Sequence, residues 1–103
     1  MTFYELIDYI KEQTSAYDIF YEKALDFQNT KNKARTGKAK WTEKKIEKVV
    51  DTMWEQSMQV LYDKVRSQAG MPKLNPRQAW IDFMDKENVL DSLVEGISET
   101  EFE

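Results

Sequence analysis

The feature that most constrains the fold is a long helical pattern in the middle of the chain, from Thr42 to Ala69. Mostly apolar side chains recur there at spacings of three and four residues, which aligns them on one face of a helix. A helix of this length measures about 40 Å at 1.5 Å per residue, so we expect the other elements to lie along it. The stripe consists of Ile46, Val49, Val50, Met53, Trp54, Ser57, Val60, Leu61 and Val65.

Both ends of this central helix carry local signals. Thr42 is a good N-cap residue because its hydroxyl can accept a hydrogen bond from a free backbone N–H of the first turn. Trp41 and Ile46 have the spacing of a hydrophobic staple around that cap. Gly70 suits the left-handed position just after a helix, and Pro72 prevents the helix from resuming.

A second helical pattern precedes the central helix and runs from Thr2 to about Asn29. Thr2 followed by Glu5 three residues later is a capping box. The apolar positions behind it follow alternating steps of four and three, as in a bundle-facing seam. The pattern leaves two arrangements open, either one continuous helix or two helices divided at Thr14-Ser15. We interpret residues 31–40 as an exposed loop, because they contain Gly37 and have no apolar periodicity.

The C-terminal third predicts two short helices. Asn75 followed by Pro76 is a typical helix start, and the polar run over 85–88 interrupts the apolar pattern. We expect the last helix to end at Gly96. The predicted fold is therefore all-α, a compact bundle of three to five helices around a long central helix at about 42–69. It forms one domain over residues 1–97, followed by a short acidic tail over 98–103.

Two residue types that carry much of enzyme chemistry are missing. The 103 residues include no His and no Cys, which excludes a Ser-His-Asp triad, a Cys-His pair and the usual zinc ligands. Carboxylates, lysines, tyrosines or a hard metal ion would have to carry any reaction. We therefore expect no enzyme activity, no cofactor and no metal. A chain without Cys also favours a cytoplasmic location, and its apolar runs are too short for a membrane span.

Charge is distributed unevenly along the chain. Residues 31–48 contain eight basic residues and only Glu43 and Glu47 as acidic ones, a local charge of +6. The whole chain has a net charge of −4, so the remainder carries −10. Most of that remainder lies after Asp82, where Lys86 is the only basic residue. The sequence thus predicts a bipolar protein.

The acidic part leads to our first functional hypothesis, a small protein-interaction module such as an adaptor, regulator or inhibitor. It would dock a basic protein partner, or another copy of itself, through an acidic helical surface. Phe27, Tyr62 and Phe102 fall off the main apolar stripes, so we also expect a residual aromatic patch or groove. The alternative is an ordinary solvated helix face. The acidic surface would consist of Asp82, Asp85, Glu87, Asp91 and Glu95.

The basic stretch over 31–48 gives a second hypothesis, a nucleic-acid-binding accessory protein. Lysine and arginine would neutralise phosphates, and Trp41 would stack on a base. The acidic net charge argues against this class, for which a basic domain is usual, and a solvated loop with Trp41 as a helix staple explains the same residues. The candidate contacts are Lys31, Lys33, Arg35, Lys38, Lys40, Trp41, Lys44 and Lys45.

Overall fold

The computed structural model describes residues 1–102, which form five α-helices, one short 3₁₀ turn and no strand. The predicted all-α bundle is confirmed. None of the helices in this range combines the length and the apolar character needed to cross a membrane. The elements are α1 (Phe3–Gln13), α2 (Ala16–Lys33), the 3₁₀ turn (Gly37–Ala39), α3 (Glu43–Ala69), α4 (Pro76–Lys86) and α5 (Val89–Glu99).

Helix α3 is the spine of the molecule, as its pattern predicts. The Thr42 hydroxyl accepts a hydrogen bond from the Lys45 backbone N–H at 3.2 Å, and Gly70 ends the helix with a positive φ of 73°. Helices α1, α2 and α4 pack against α3, while α5 packs against α2 and α4. Because the spine is long, the bundle is elongated, with principal extents of 55 × 23 × 21 Å.

The N-terminal pattern folds as two helices. The capping box at Thr2 and Glu5 is present, and the chain becomes extended at Thr14. The Thr14 hydroxyl donates to the Ile10 carbonyl at 2.8 Å and accepts from the Ala16 N–H at 3.1 Å, so it links the two helices. Of the two arrangements that the sequence leaves open, the structure adopts the divided one.

The predicted loop over 31–40 is wrong at its start, because α2 continues to Lys33. The extra turn is held by Asn32, which is 8% exposed and whose side-chain amide bonds to the backbone of Trp41. The connection to α3 is correspondingly short and includes the 3₁₀ turn, with Gly37 at a φ of 57°.

The start of α4 is correctly predicted, but its cap is not. Asn75 occupies the N-cap position in the left-handed region, at a φ of 47°, and its side chain makes no capping hydrogen bond. Asn88 adopts the same conformation before α5, at a φ of 54°. Both asparagines therefore serve as turn residues that tolerate positive φ.

The predicted end of the last helix is also wrong, since α5 continues past Gly96 to Glu99. Gly96 keeps an ordinary negative φ, and the next residue, Ile97, packs against the core. The tail is attached too: the Phe102 ring lies 5.5 Å from the Phe20 ring, edge to face. The last residue of the predicted tail, Glu103, lies outside the described residues.

The core contains two large buried aromatic residues in different polar environments. Trp80 is 0% exposed, and its indole N–H donates to the Gly70 carbonyl at 2.9 Å. Trp54 is 2% exposed and packs against the rings of Tyr17 and Phe20, yet its indole N–H has no hydrogen-bond partner among residues 1–102.

Two members of the predicted α3 stripe, Ser57 and Val60, are exposed. Val60 is 70% exposed, whereas Met58 is fully buried. At 100° per residue, Met58 lies about 40° from Trp54 around the helix and Val60 about 120°. Packing of α1 and α4 on the second half of α3 selects the Met58 side, so the prediction of Val60 as a core residue is wrong.

Candidate functional site

A groove lies between α3, α4 and α5 and encloses about 390 Å³. Its position depends on the turn at Asn88, which separates α4 from α5 and lets α5 leave the spine. Polar residues border it, namely Lys64, Gln68, Glu87 and Ser92. Its apolar lining comes from all three helices and consists of Leu61, Val65, Phe83, Val89 and Leu93.

The apolar side of α5 explains why this groove is open. The helix is strongly amphipathic, yet it contains no buried residue. Every apolar side chain on it is only half-buried, although each packs against the core cluster from one side. The bundle therefore covers this stripe incompletely. The stripe consists of Val89, Leu90, Leu93, Val94 and Ile97.

The structure divides the predicted acidic surface into three parts. Asp82 and Asp85 are exposed one turn apart on α4, and Glu87 borders the groove. Asp91 and Glu95 are exposed one turn apart on α5. Asp91 comes two residues after Val89 and two before Leu93, so at 100° per residue it lies on the side of α5 opposite the groove. Of the five carboxylates only Glu87 borders the groove, and the five do not form one face.

The aromatic residues that the sequence leaves off its stripes lie in two places, with Phe27 and Phe102 lining a shallow pocket between α2 and the tail and Tyr62 lying against α1 and α4. The ring of Phe102 lies 5.8 Å from that of Phe27, and the ring of Tyr62 lies 5.3 Å from that of Trp80. All three predicted patch residues are half-buried. Single apolar side chains are exposed elsewhere, at Tyr4, Val60, Met71 and Leu74, whereas the groove along α5 brings several apolar side chains together. No local signal distinguishes it, because α1 and α4 have the same length of 11 residues as α5 and yet contain buried residues.

The predicted nucleic-acid contacts come together at one end of the molecule, where α2 and α3 are joined. We call this end the cationic tip. Within residues 1–102 the one ion pair within 4 Å is Arg77 with Glu5, at 3.7 Å, so no carboxylate pairs with the tip. The tip consists of Lys31, Lys33, Arg35, Lys38, Lys40, Lys44, Lys45 and Lys48, all exposed except the half-buried Arg35.

Trp41 organises the cationic tip. The Asn32 amide donates to the Trp41 carbonyl at 3.0 Å and accepts from the Trp41 N–H at 2.8 Å. The Arg35 guanidinium lies 3.8 Å from the centre of the Trp41 ring, and the Lys45 ammonium lies 4.6 Å from it. The ring therefore holds two cations in place.

No protein-family model, curated protein or solved structure matches this chain.

A third polar cluster lies where α1 and α2 meet the middle of α3. The Tyr17 hydroxyl donates to Asp51 at 2.9 Å, and the Lys11 ammonium lies 4.2 Å from the centre of the Tyr17 ring. Burial, followed by the bond to the Asp51 carboxylate, raises the pKa of Tyr17 to about 12. A phenol held protonated in this way is a poor base near neutral pH. Among residues 1–102, no group of three or more carboxylates is positioned to hold a metal ion.

Proposed function

We propose that this protein is a non-enzymatic interaction module, an adaptor, regulator or inhibitor, that binds a basic amphipathic segment of a protein partner in the groove between α3, α4 and α5. The observation that carries this proposal is the incompletely covered apolar face of α5. A cytoplasmic setting belongs to the same proposal, because a chain without Cys forms no disulfide.

The dimensions of the groove suit a few anchoring side chains. Its volume of about 390 Å³ lies in the lower part of the range of about 300 to 1,000 Å³ that is usual for ligand pockets. An amphipathic helix binds such a groove through apolar residues spaced at i, i+3, i+4 and i+7. Leu61 and Val65 on α3 and Val89 and Leu93 on α5 are themselves one turn apart, which matches anchors on successive turns of a bound helix.

The charges around the groove favour a basic partner. Lys64 is the only cation among the groove residues, while Glu87 borders it and two pairs of carboxylates lie on the outer faces of α4 and α5. Such an arrangement steers a positively charged segment toward the groove and repels an acidic one. The apolar anchors supply most of the affinity, because exposed ion pairs contribute only about 0 to 1 kcal/mol each.

The test is a selection of binders from a displayed library of helical peptides, repeated on two matched variants. Gln68→Trp fills the groove, whereas Gln59→Trp places the same side chain at an exposed position of α3 that does not line it. We expect selected peptides with apolar anchors one turn apart and flanking Lys or Arg. They should bind the Gln59→Trp variant and lose affinity for Gln68→Trp. Equal binding to both variants would place the contact elsewhere and refute the groove.

Charge reversal tests the electrostatic half of the proposal. Asp91→Lys with Glu95→Lys should lower the affinity of the protein for the same peptides. The loss should be largest for the peptides with the highest positive charge. Asp8→Lys with Glu12→Lys makes the same change at the same spacing on α1, where it should have less effect. If sedimentation shows that the protein dimerises and Gln68→Trp restores the monomer, the occupant of the groove is a second copy of the chain.

A further inference from the structure

We infer that the cationic tip is a second binding surface, which contacts the phosphodiester backbone of a nucleic acid without reading its bases. This inference does not depend on the proposed function, because the tip and the groove share no residue. It rests on the grouping of eight unpaired cations at one end of the molecule and on the way in which Trp41 and Asn32 hold two of them.

The tip presents eight cations against two carboxylates of the same stretch, Glu43 and Glu47, neither of which lies within 4 Å of a tip cation. Lys44 and Lys48 are exposed and one turn apart on α3, about 6 Å along the helix axis. Together with Lys45 and Thr52 they border a shallow open groove at the start of α3. An elongated molecule keeps this end away from the α3–α4 end of the bundle, so a polyanion can approach the tip end-on. Concentrated positive charge of this kind binds nucleic acid by releasing its counterions.

The residue types indicate contacts made by point charges. Seven of the eight tip cations are lysines, which act as hydrated point charges toward phosphate. Arginine recognises both carboxylates and phosphates through two parallel hydrogen bonds, but the single arginine of the tip, Arg35, already lies over Trp41 and donates to Asn32 at 3.4 Å. A cluster of point charges suits a nucleic acid, because a duplex carries about one negative charge per 1.7 Å of its axis.

The geometry around Trp41 argues against base recognition. Its ring is half-buried and already carries the Arg35 and Lys45 cations. The Asn32 amide, which could otherwise read a base edge, is buried and bonded to the Trp41 backbone. Binding should thus be independent of sequence. The role of Trp41 is to fix cations in place, rather than to stack on a base as the sequence suggests.

The experiment is a fluorescence-anisotropy titration of labelled mixed-sequence DNA, single-stranded and duplex, over a range of salt concentrations. Four phosphate contacts on duplex DNA give a slope of about −3.6 for log K against log salt concentration, which is about a 100-fold loss of affinity between about 50 and 200 mM salt. Lys44→Glu with Lys48→Glu removes two of these contacts, so the slope should fall to about −1.8. The control is Lys73→Glu with Lys86→Glu, two exposed lysines outside the tip that give the same change in net charge.

Three results would overturn the inference. No binding at the lowest salt concentration would remove it, and so would an equal loss of affinity and slope in both charge variants. Binding of polyglutamate as tight as that of DNA would assign the tip to an acidic protein instead. A single strand of abasic sites tests the backbone-only mode: it should bind as tightly as the mixed-sequence strand of the same length, whereas loss of a stacked base would lower the affinity by about fivefold or more. Circular dichroism checks that each variant keeps its helices.

Discussion

The two buried tryptophans allow a direct measurement of what an unpaired polar group costs in this core. Trp54 and Trp80 are 2% and 0% exposed, so replacing either by Phe removes a similar amount of buried ring and leaves a similar void. They differ in one respect. The Trp80 indole N–H donates to the Gly70 carbonyl at 2.9 Å, while the Trp54 indole N–H has no partner within residues 1–102.

The expected difference follows from the hydrogen bonds, because the packing losses are common to both variants and cancel. Trp80→Phe loses a hydrogen bond with a net value of about 1 kcal/mol. Trp54→Phe removes a buried unsatisfied donor and so recovers a penalty of about 1 to 3 kcal/mol. Trp80→Phe should therefore be the less stable variant by about 2 to 4 kcal/mol.

Urea unfolding followed by far-ultraviolet circular dichroism measures both variants without relying on tryptophan fluorescence. For a domain of this size, a difference of 1 kcal/mol corresponds to about 4 °C or slightly more in Tm, so thermal melts should also separate them. The comparison is valid only if both variants keep the m-value of the parent. Equal losses of stability would refute the reasoning, since the Trp54 N–H would then carry no penalty in the folded state.

Two further predictions concern other polar groups near the core. Gln28 is 7% exposed, its side-chain carbonyl has no partner among residues 1–102, and its amide contacts only the Met53 sulfur at 3.4 Å. Gln28→Met should therefore raise the free energy of unfolding by about 1 kcal/mol. A loss of stability in urea unfolding would contradict this prediction. The folded pKa of Tyr17, about 12, exceeds its ordinary value of 10.0, so its contribution to stability is complete below pH 10 and is lost as pH rises toward 12. Tyr17→Phe should flatten the decline of stability in that window, and Asp51→Asn should lower the pKa seen by ultraviolet titration; a titration unchanged in Asp51→Asn would show that the carboxylate has no part in it.

Features encoded by neighbouring residues could be predicted from the sequence. The bounds of α3 follow from Thr42 and Gly70, and the start of α1 follows from the capping box at Thr2. Capping and helical periodicity act over a few residues, so a linear pattern contains all the necessary information. The cationic tip belongs to the same class, because all its members lie within residues 31–48, on either side of the connection between α2 and α3.

Features that depend on distant partners could not be predicted in this way. The extension of α2 to Lys33 requires Asn32 to meet the backbone of Trp41, and the extension of α5 past Gly96 accompanies the packing of Ile97 on the core. Val60 shows the same dependence, because the arrangement of neighbouring helices decides which side of a broad stripe is covered. Local preference is weaker than burial at such positions, and burial is a property of the assembled bundle.

The candidate sites show the same difference between features that follow from local sequence and features that follow from packing. The sequence by itself determined the helical class, the long spine and the concentration of positive charge between residues 31 and 48, because each of these is a local pattern. Only the tertiary structure decided that the acidic residues are spread over three surfaces, that Trp41 supports cations and that the apolar face of α5 remains open as a groove. These depend on the rotation of each helix about its axis and on the gaps between helices, which are set by packing across the whole bundle.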